Sequence, residues 1–135
     1  MNPMVQPTEF LHTAFLTRDI GRSIRAWQDL VGASVELPPT HIAADDVNVC
    51  ILSVANGRIE LVQPGDAARA GHLVREAKSH PDHVCLACDN LDERIAGARE
   101  RGGIVVRPPV RSEAFGKRMC FILYPDIGLV EWVGK

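Results

Sequence analysis

Four residues whose types suit chemistry recur in this chain as two matched pairs. His12 stands in Phe10-Leu11-His12-Thr13-Ala14-Phe15-Leu16, and His83 stands 71 residues later in Asp82-His83-Val84-Cys85-Leu86-Ala87-Cys88. Glu60, in Ile59-Glu60-Leu61-Val62, and Glu131, in Val130-Glu131-Trp132-Val133, are also 71 residues apart, so each glutamate follows its histidine by 48. Singly, a histidine in an apolar strand is more often a hydrogen-bonded core residue than a ligand, and a strand glutamate usually faces water. An ionised carboxylate inside an apolar run is costly to bury, however, and requires a cation, an arginine or a water-filled cleft. Imidazole and carboxylate together suit a borderline divalent ion such as zinc, nickel, cobalt, manganese or iron. The equal spacing predicts that a pseudo-twofold axis gathers His12, Glu60, His83 and Glu131 around one divalent metal ion.

The elements that must position these residues follow the same repeat. Leu11 to Thr17 reads as a strand, and Ile20, Ile24, Trp27 and Val31 then follow at helical spacing, with Asp19 placed to cap the helix and Gly32 to end it. Ala33 to Leu37 reads as a short strand before Pro38-Pro39 and a polar loop. Val47 to Val54 and Arg58 to Gln63 flank Asn56-Gly57, a strong hairpin signal. The first half thus spells βαβββ. A shift of 71 lays Ile20 on Leu91, Gly32 on Gly103, Val35 on Val106, Pro38 on Pro109 and Ile51-Leu52 on Ile122-Leu123 without a gap. Duplication of a module that cannot bury both sheet faces alone predicts an α+β fold. Two tandem βαβββ modules, 9–64 and 81–134, would form one curved eight-stranded mixed sheet around a central cleft in a single domain spanning 1–135. A helix is expected in the linker, 65–80, from Ala67, Ala70, Val74 and Ala77.

Composition sets the surroundings. A chain of 135 residues, 46% hydrophobic and 24% charged with a net charge of −2, has the make-up of one ordinary globular domain with no acidic or basic tail, and neither a nucleic-acid nor a membrane partner is expected. No apolar run has the length of a membrane span, and the first residues lack a signal-peptide pattern, so a cytoplasmic location is expected. Cys50, Cys85, Cys88 and Cys120 lie in apolar runs and read as small buried hydrophobes. Cys85 and Cys88 are spaced as a C-x-x-C, but on one strand residues three apart face opposite ways, so they should share no ion. His41, His72 and His80 have no counterpart under the shift and read as solvated.

The pattern resembles the vicinal oxygen chelate superfamily, which includes glyoxalase I, methylmalonyl-CoA epimerases, extradiol dioxygenases, fosfomycin-resistance enzymes and bleomycin-binding proteins. The resemblance covers residues 9 to 134. It is carried by His12, by Ile59-Glu60-Leu61-Val62-Gln63-Pro64, by His83-Val84-Cys85-Leu86 with Asp89-Asn90-Leu91, and by Gly128-Leu129-Val130-Glu131-Trp132-Val133. It implies paired βαβββ modules, a divalent metal held by His12, Glu60, His83 and Glu131, and two open positions on the ion for neighbouring substrate oxygens. The implied activity is that of a metal-dependent isomerase, epimerase or lyase that moves an α-proton through a metal-stabilised enolate.

Within the superfamily the linker and the stretch Ala114-Phe115-Gly116-Lys117-Arg118-Met119-Cys120-Phe121-Ile122 are most similar to the methylmalonyl-CoA epimerases. That likeness implies a small substrate, such as a CoA ester, met by Lys117, Arg118 and Arg111. A glyoxalase I-like or secondary-metabolite enzyme is one alternative reading, and a non-catalytic binding or resistance module is another. The epimerases carry a second catalytic glutamate whose nearest match here is Ala44, with Asp45 and Asp46 following. The resemblance therefore leaves Asp45, Asp46, Glu60 and Glu131 as candidate bases. A homodimer is also implied.

Overall fold

The computed structural model describes residues 4–65, 79–111 and 116–135. Among these residues eight strands form a mixed sheet, accompanied by two α-helices. In chain order the elements are β1 (Glu9–Thr17), α1 (Ile20–Ala26), β2 (Ser34–Ile42), β3 (Val47–Val54), β4 (Gly57–Pro64), β5 (Ser79–Cys88), α2 (Leu91–Glu100), β6 (Ile104–Arg111), β7 (Arg118–Tyr124) and β8 (Gly128–Gly134). Within each module the strand order is the same, β2-β3-β4-β1 in the first and β6-β7-β8-β5 in the second. The pairs β1/β4 and β5/β8 are parallel, and the hairpin pairs are antiparallel. The expected linker helix falls on residues outside the described ones, and β5 opens at Ser79, two residues ahead of the expected module boundary.

The chain forms two compact units, one of residues 12–82 and one of residues 1–11 with 83–135. In the first, α1 covers one face of the strands and buries Ile24 against Cys50, Leu52 and Leu61, with Phe15 meeting Trp27 edge-on at 5.5 Å. In the second, α2 buries Leu91, Ile95 and Ala98 against Ile122, Val130 and Trp132. Trp132 anchors this core, since its ring carries the Arg94 guanidinium 4.2 Å from its centroid and its Nε1 donates to the Tyr124 hydroxyl at 2.9 Å. Arg94, itself buried, also donates to the Val5 carbonyl and so ties the leading segment to this unit.

Both helices start where a short polar side chain can cap them. The Asp19 carboxylate accepts from the Arg22 N–H, and the Asn90 side chain accepts from the Glu93 N–H, each at 3.0 Å. The end of the first helix departs from expectation. Beyond Ala26 the chain makes a π turn, Trp27–Val31, before Gly32 closes it at φ 81°. A π turn holds one residue more than an α turn, so the side chains after it rotate by about 100°. Val31, expected on the buried face, is 53% exposed for that reason.

Two further corrections follow from the sheet. Strand β2 does not stop before Pro38-Pro39 but runs through them to Ile42, because it lies at the sheet edge, where missing N–H donors cost no ladder bonds. The Asn-Gly signal is displaced by one residue: Val54 pairs with Gly57, so Ala55 and Asn56 make the turn and Gly57 opens β4.

The repeat itself is subtler than an ungapped shift. Ala14 opposite Glu60 is matched by Cys85 opposite Glu131, an offset of 71, yet Val35 opposite Leu52 is matched by Val105 opposite Ile122, an offset of 70. Gly32 likewise matches Gly102, both with positive φ, rather than Gly103. The π turn adds one residue to the first module, and its hairpin loop, shorter by one than the loop joining Tyr124 to Gly128, removes it again.

Cys85 and Cys88 fall on opposite faces, Cys88 in the core beneath α2 and Cys85 beside Met119 and Val133. All four cysteines are buried, and none is in a disulfide. Burial, with the neighbouring Cys88 and Glu131, pushes the Cys120 thiol up to about 12, and burial raises Cys50 and Cys88 too. The unfolded chain loses these protons near pH 9 while the folded protein keeps them. Their contribution is therefore intact below about pH 9 and falls as pH rises toward 12, by about 1 kcal/mol per pH unit for Cys120. Urea midpoints at about pH 8 and about pH 10 should show this loss, and Cys120→Ala should flatten it. An unchanged slope in that variant would contradict the assignment.

Candidate metal centre

Each histidine is set beside its glutamate by a parallel ladder. In the first unit Ala14 lies opposite Glu60, and His12, two residues earlier, shares the face of Ala14. This diagonal relation brings His12 Nε2 to 3.4 Å from Glu60 Oε1, with both residues buried. In the second unit Cys85 lies opposite Glu131, and His83 stands two residues earlier. His83 Nε2 is 3.2 Å from Glu131 Oε1, again buried. The edge of the His83 ring meets Phe121 at a centroid distance of 4.9 Å and an interplanar angle of 89°, which fixes its orientation.

Two equivalent strand pairs, one in each unit, therefore hold the same donor pair in the same register. The same face also carries apolar side chains, Leu16 and Val62 in one unit and Cys85, Met119 and Val133 in the other. Each unit thus holds one buried imidazole nitrogen beside one carboxylate oxygen, both of them metal-ligand types. Imidazole nitrogen and carboxylate oxygen match the preferences of a borderline divalent ion, so the donor chemistry of each pair fits one.

The other sequence candidates lie elsewhere. Asp45 and Asp46 sit in the turn before β3, whereas Glu60 lies opposite Ile51. Five strand positions separate Asp46 from that level, about 17 Å at the rise of a strand. Asp46 also serves its own turn, since its carbonyl accepts from the Gly65 N–H at 2.8 Å and its carboxylate is 3.9 Å from His41. The structure thus does not bring either aspartate to the glutamates. Arg118 pairs with Asp92 in the first turn of α2 at 3.0 Å, and this contact lowers the Asp92 carboxyl below the usual range. Arg111 lies opposite Arg118 at the loop end of the hairpin, and Lys117 is exposed beside it. His41 is exposed, and His80 Nδ1 lies 2.8 Å from the Pro81 carbonyl. His72 lies outside the described residues. Sequence reasoning missed Phe121 as a support for His83 and Arg94 as a core cation. An aromatic residue nine or ten positions before Glu131, across a hairpin, was the available signal for the first.

A family model described as the glyoxalase/bleomycin resistance protein/dioxygenase superfamily matches residues 11–121. The chain belongs to this superfamily. Its curated relatives include the mitochondrial methylmalonyl-CoA epimerase of Bos taurus, 24% identical over 119 residues, which cover 87% of this chain and 67% of that protein. Among solved structures, the methylmalonyl-CoA epimerase of Mycobacterium tuberculosis superposes with a TM-score of 0.79 at 19% identity, covering 99% of this chain and 92% of that one. A Streptomyces coelicolor methylmalonyl-CoA epimerase variant, in complex with 2-nitronate-propionyl-CoA, matches with a TM-score of 0.76 at 18% identity, covering 96% and 99%. These structural likenesses show the shared fold. Membership in the superfamily and the buried His–Glu pairs are both compatible with a divalent metal. No helix among the described residues is long and apolar enough to cross a membrane.

Proposed function

We propose that this chain is a metal-assisted epimerase acting on a carboxylated CoA ester, with His12, Glu60, His83 and Glu131 holding one ion between them. The observation that carries the reading is the duplicated buried His–Glu pair, set in identical register by β1/β4 and β5/β8. A divalent ion bound there would draw electron density from neighbouring substrate oxygens and lower the barrier to loss of the α-proton. The protein supplies the rest. Glu60 and Glu131, one in each module, would take the α-proton on one side and return it on the other. Phe121 holds the His83 ring, and the apolar side chains around both pairs limit access of water. Lys117 and Arg111, exposed at one end of the second module, are assigned to the distal phosphates of the ester. The family likeness supports a homodimer, and the buried, unbridged thiols support a reducing compartment such as the cytoplasm.

Solvent exchange tests the reading. In deuterated water, methylmalonyl-CoA should gain deuterium at its α-carbon with the protein present, and a chelator should abolish the exchange until a divalent ion is restored. Turnover of a glutathione hemithioacetal in its place would favour a glyoxalase-type lyase. Absence of both reactions with metal bound would leave a binding module.

A further inference from the structure

The two modules match strand for strand, so a position on the site face where their chemistry differs marks something that the site treats asymmetrically. In the second module one lateral row runs from Arg107 on β6 through Phe121 on β7 and Glu131 on β8 to Cys85 on β5. The corresponding row of the first module is Leu37, Ile51, Glu60 and Ala14. Residues directly opposite one another across a ladder present their side chains to one face, so Arg107 shares the face of Phe121 and Glu131. The register of β6 shifts on both sides of Arg107, between Val105 and Arg107 and again before Val110, and such irregularities re-aim a side chain. Arg107 is half-buried, and its Nε is withdrawn from solvent. A leucine fills the matching place in the first module, so the fold itself does not require a cation there.

We propose that Arg107 binds a carboxylate carried on the acyl part of the substrate, and so selects carboxylated thioesters over their simple acyl counterparts. This rests on the ester-binding role proposed above. Two strand spacings separate the Arg107 and Glu131 backbones by about 10 Å, and a guanidinium reaching from that distance meets groups within a few bonds of the reacting carbon. The phosphates of the coenzyme lie far along the molecule from that carbon. A planar guanidinium also offers the paired donors that a carboxylate accepts.

Calorimetric titration of the metal-loaded protein with methylmalonyl-CoA and with propionyl-CoA, which lacks the carboxylate, tests the assignment. The wild type is expected to favour methylmalonyl-CoA by about 10-fold or more. Arg107→Leu should reduce that preference by about 5-fold or more while leaving propionyl-CoA affinity unchanged, the remainder coming from the ion, which would meet one carboxylate oxygen beside the thioester carbonyl, and Arg107→Lys should retain more of it. Thermal melts identify a variant that fails to fold, and Arg107→Gln then replaces the leucine. A wild type without preference, or a neutral variant that keeps it, overturns the proposal. Deuterium exchange in the wild type separates this outcome from the function itself. Exchange without an Arg107-dependent preference refutes the role of Arg107 alone, whereas the preference without exchange refutes the epimerase reading alone. Binding of neither ester refutes both.

Discussion

Glu131→Gln is expected to lower α-proton exchange by about 10²- to 10⁴-fold, the range for loss of a positioned general base. Glutamine keeps the length of the side chain and can still meet His83 across the 3.2 Å contact, but it carries no charge and takes up no proton at neutral pH. Glu60→Gln should cost a similar factor, because Glu60 stands in the same register beside His12. Elemental analysis of both variants should show less bound metal than the wild type, as should His12→Ala. Asp45→Asn and Asp46→Asn should change exchange by less than about twofold, given about 17 Å of strand between their turn and the level of Glu60. Exchange is followed by NMR in deuterated water with methylmalonyl-CoA as substrate. A Glu131→Gln protein with wild-type exchange and metal content would remove Glu131 from the site, and an inactive Asp45→Asn protein would restore the aspartate as a base.

Trp132→Ala should be the most destabilising of the core substitutions, by about 3–5 kcal/mol. The residue is 5% exposed and packs in the cluster formed by α2 and its strands. Its loss leaves a large cavity, removes the ring beneath Arg94 and deprives the Tyr124 hydroxyl of its donor. An uncovered buried guanidinium adds to the cost of the cavity. Since an ordinary domain is stable by about 5–15 kcal/mol, this single change removes a large share of the margin. The urea midpoint of the variant measures it. A loss below about 1 kcal/mol would mean that the ring is less central than its burial implies. Arg94→Met, which keeps much of the aliphatic stem, should cost less than Trp132→Ala.

The pairing of histidine with glutamate was legible in the sequence because both types interrupt apolar strands, where an unsupported charge is expensive, and because they recur at one interval. Helix starts were equally legible, since Asp19 and Asn90 cap through their own side chains. Features that depend on neighbours in space were not. Nothing local distinguishes Trp27–Val31 from an α-helical turn, and only the exposure of Val31 reveals the added residue. Pro38-Pro39 reads as the end of a strand until β2 is known to lie at the sheet edge. Asp45 and Asp46 are close to the expected position in sequence, but strand rise carries them away from Glu60. Arg107 could not be assigned to the site face from alternation alone, because the register shifts of β6 decide which way it points.

The one-residue difference between the modules has a consequence for how this fold accommodates change. A length difference that reached β4 or β8 would turn the glutamate away from its histidine, since neighbouring strand positions point to opposite faces. In the first module the surplus is taken up where a helix can widen and is returned where a turn can tighten, so the strands carrying Glu60 and Glu131 never receive it. The helix end and the hairpin act as expansion joints on either side of β2 and β3. Insertions and deletions confined to those joints can therefore reshape the outer strands and their side chains while the two donor pairs stay in phase.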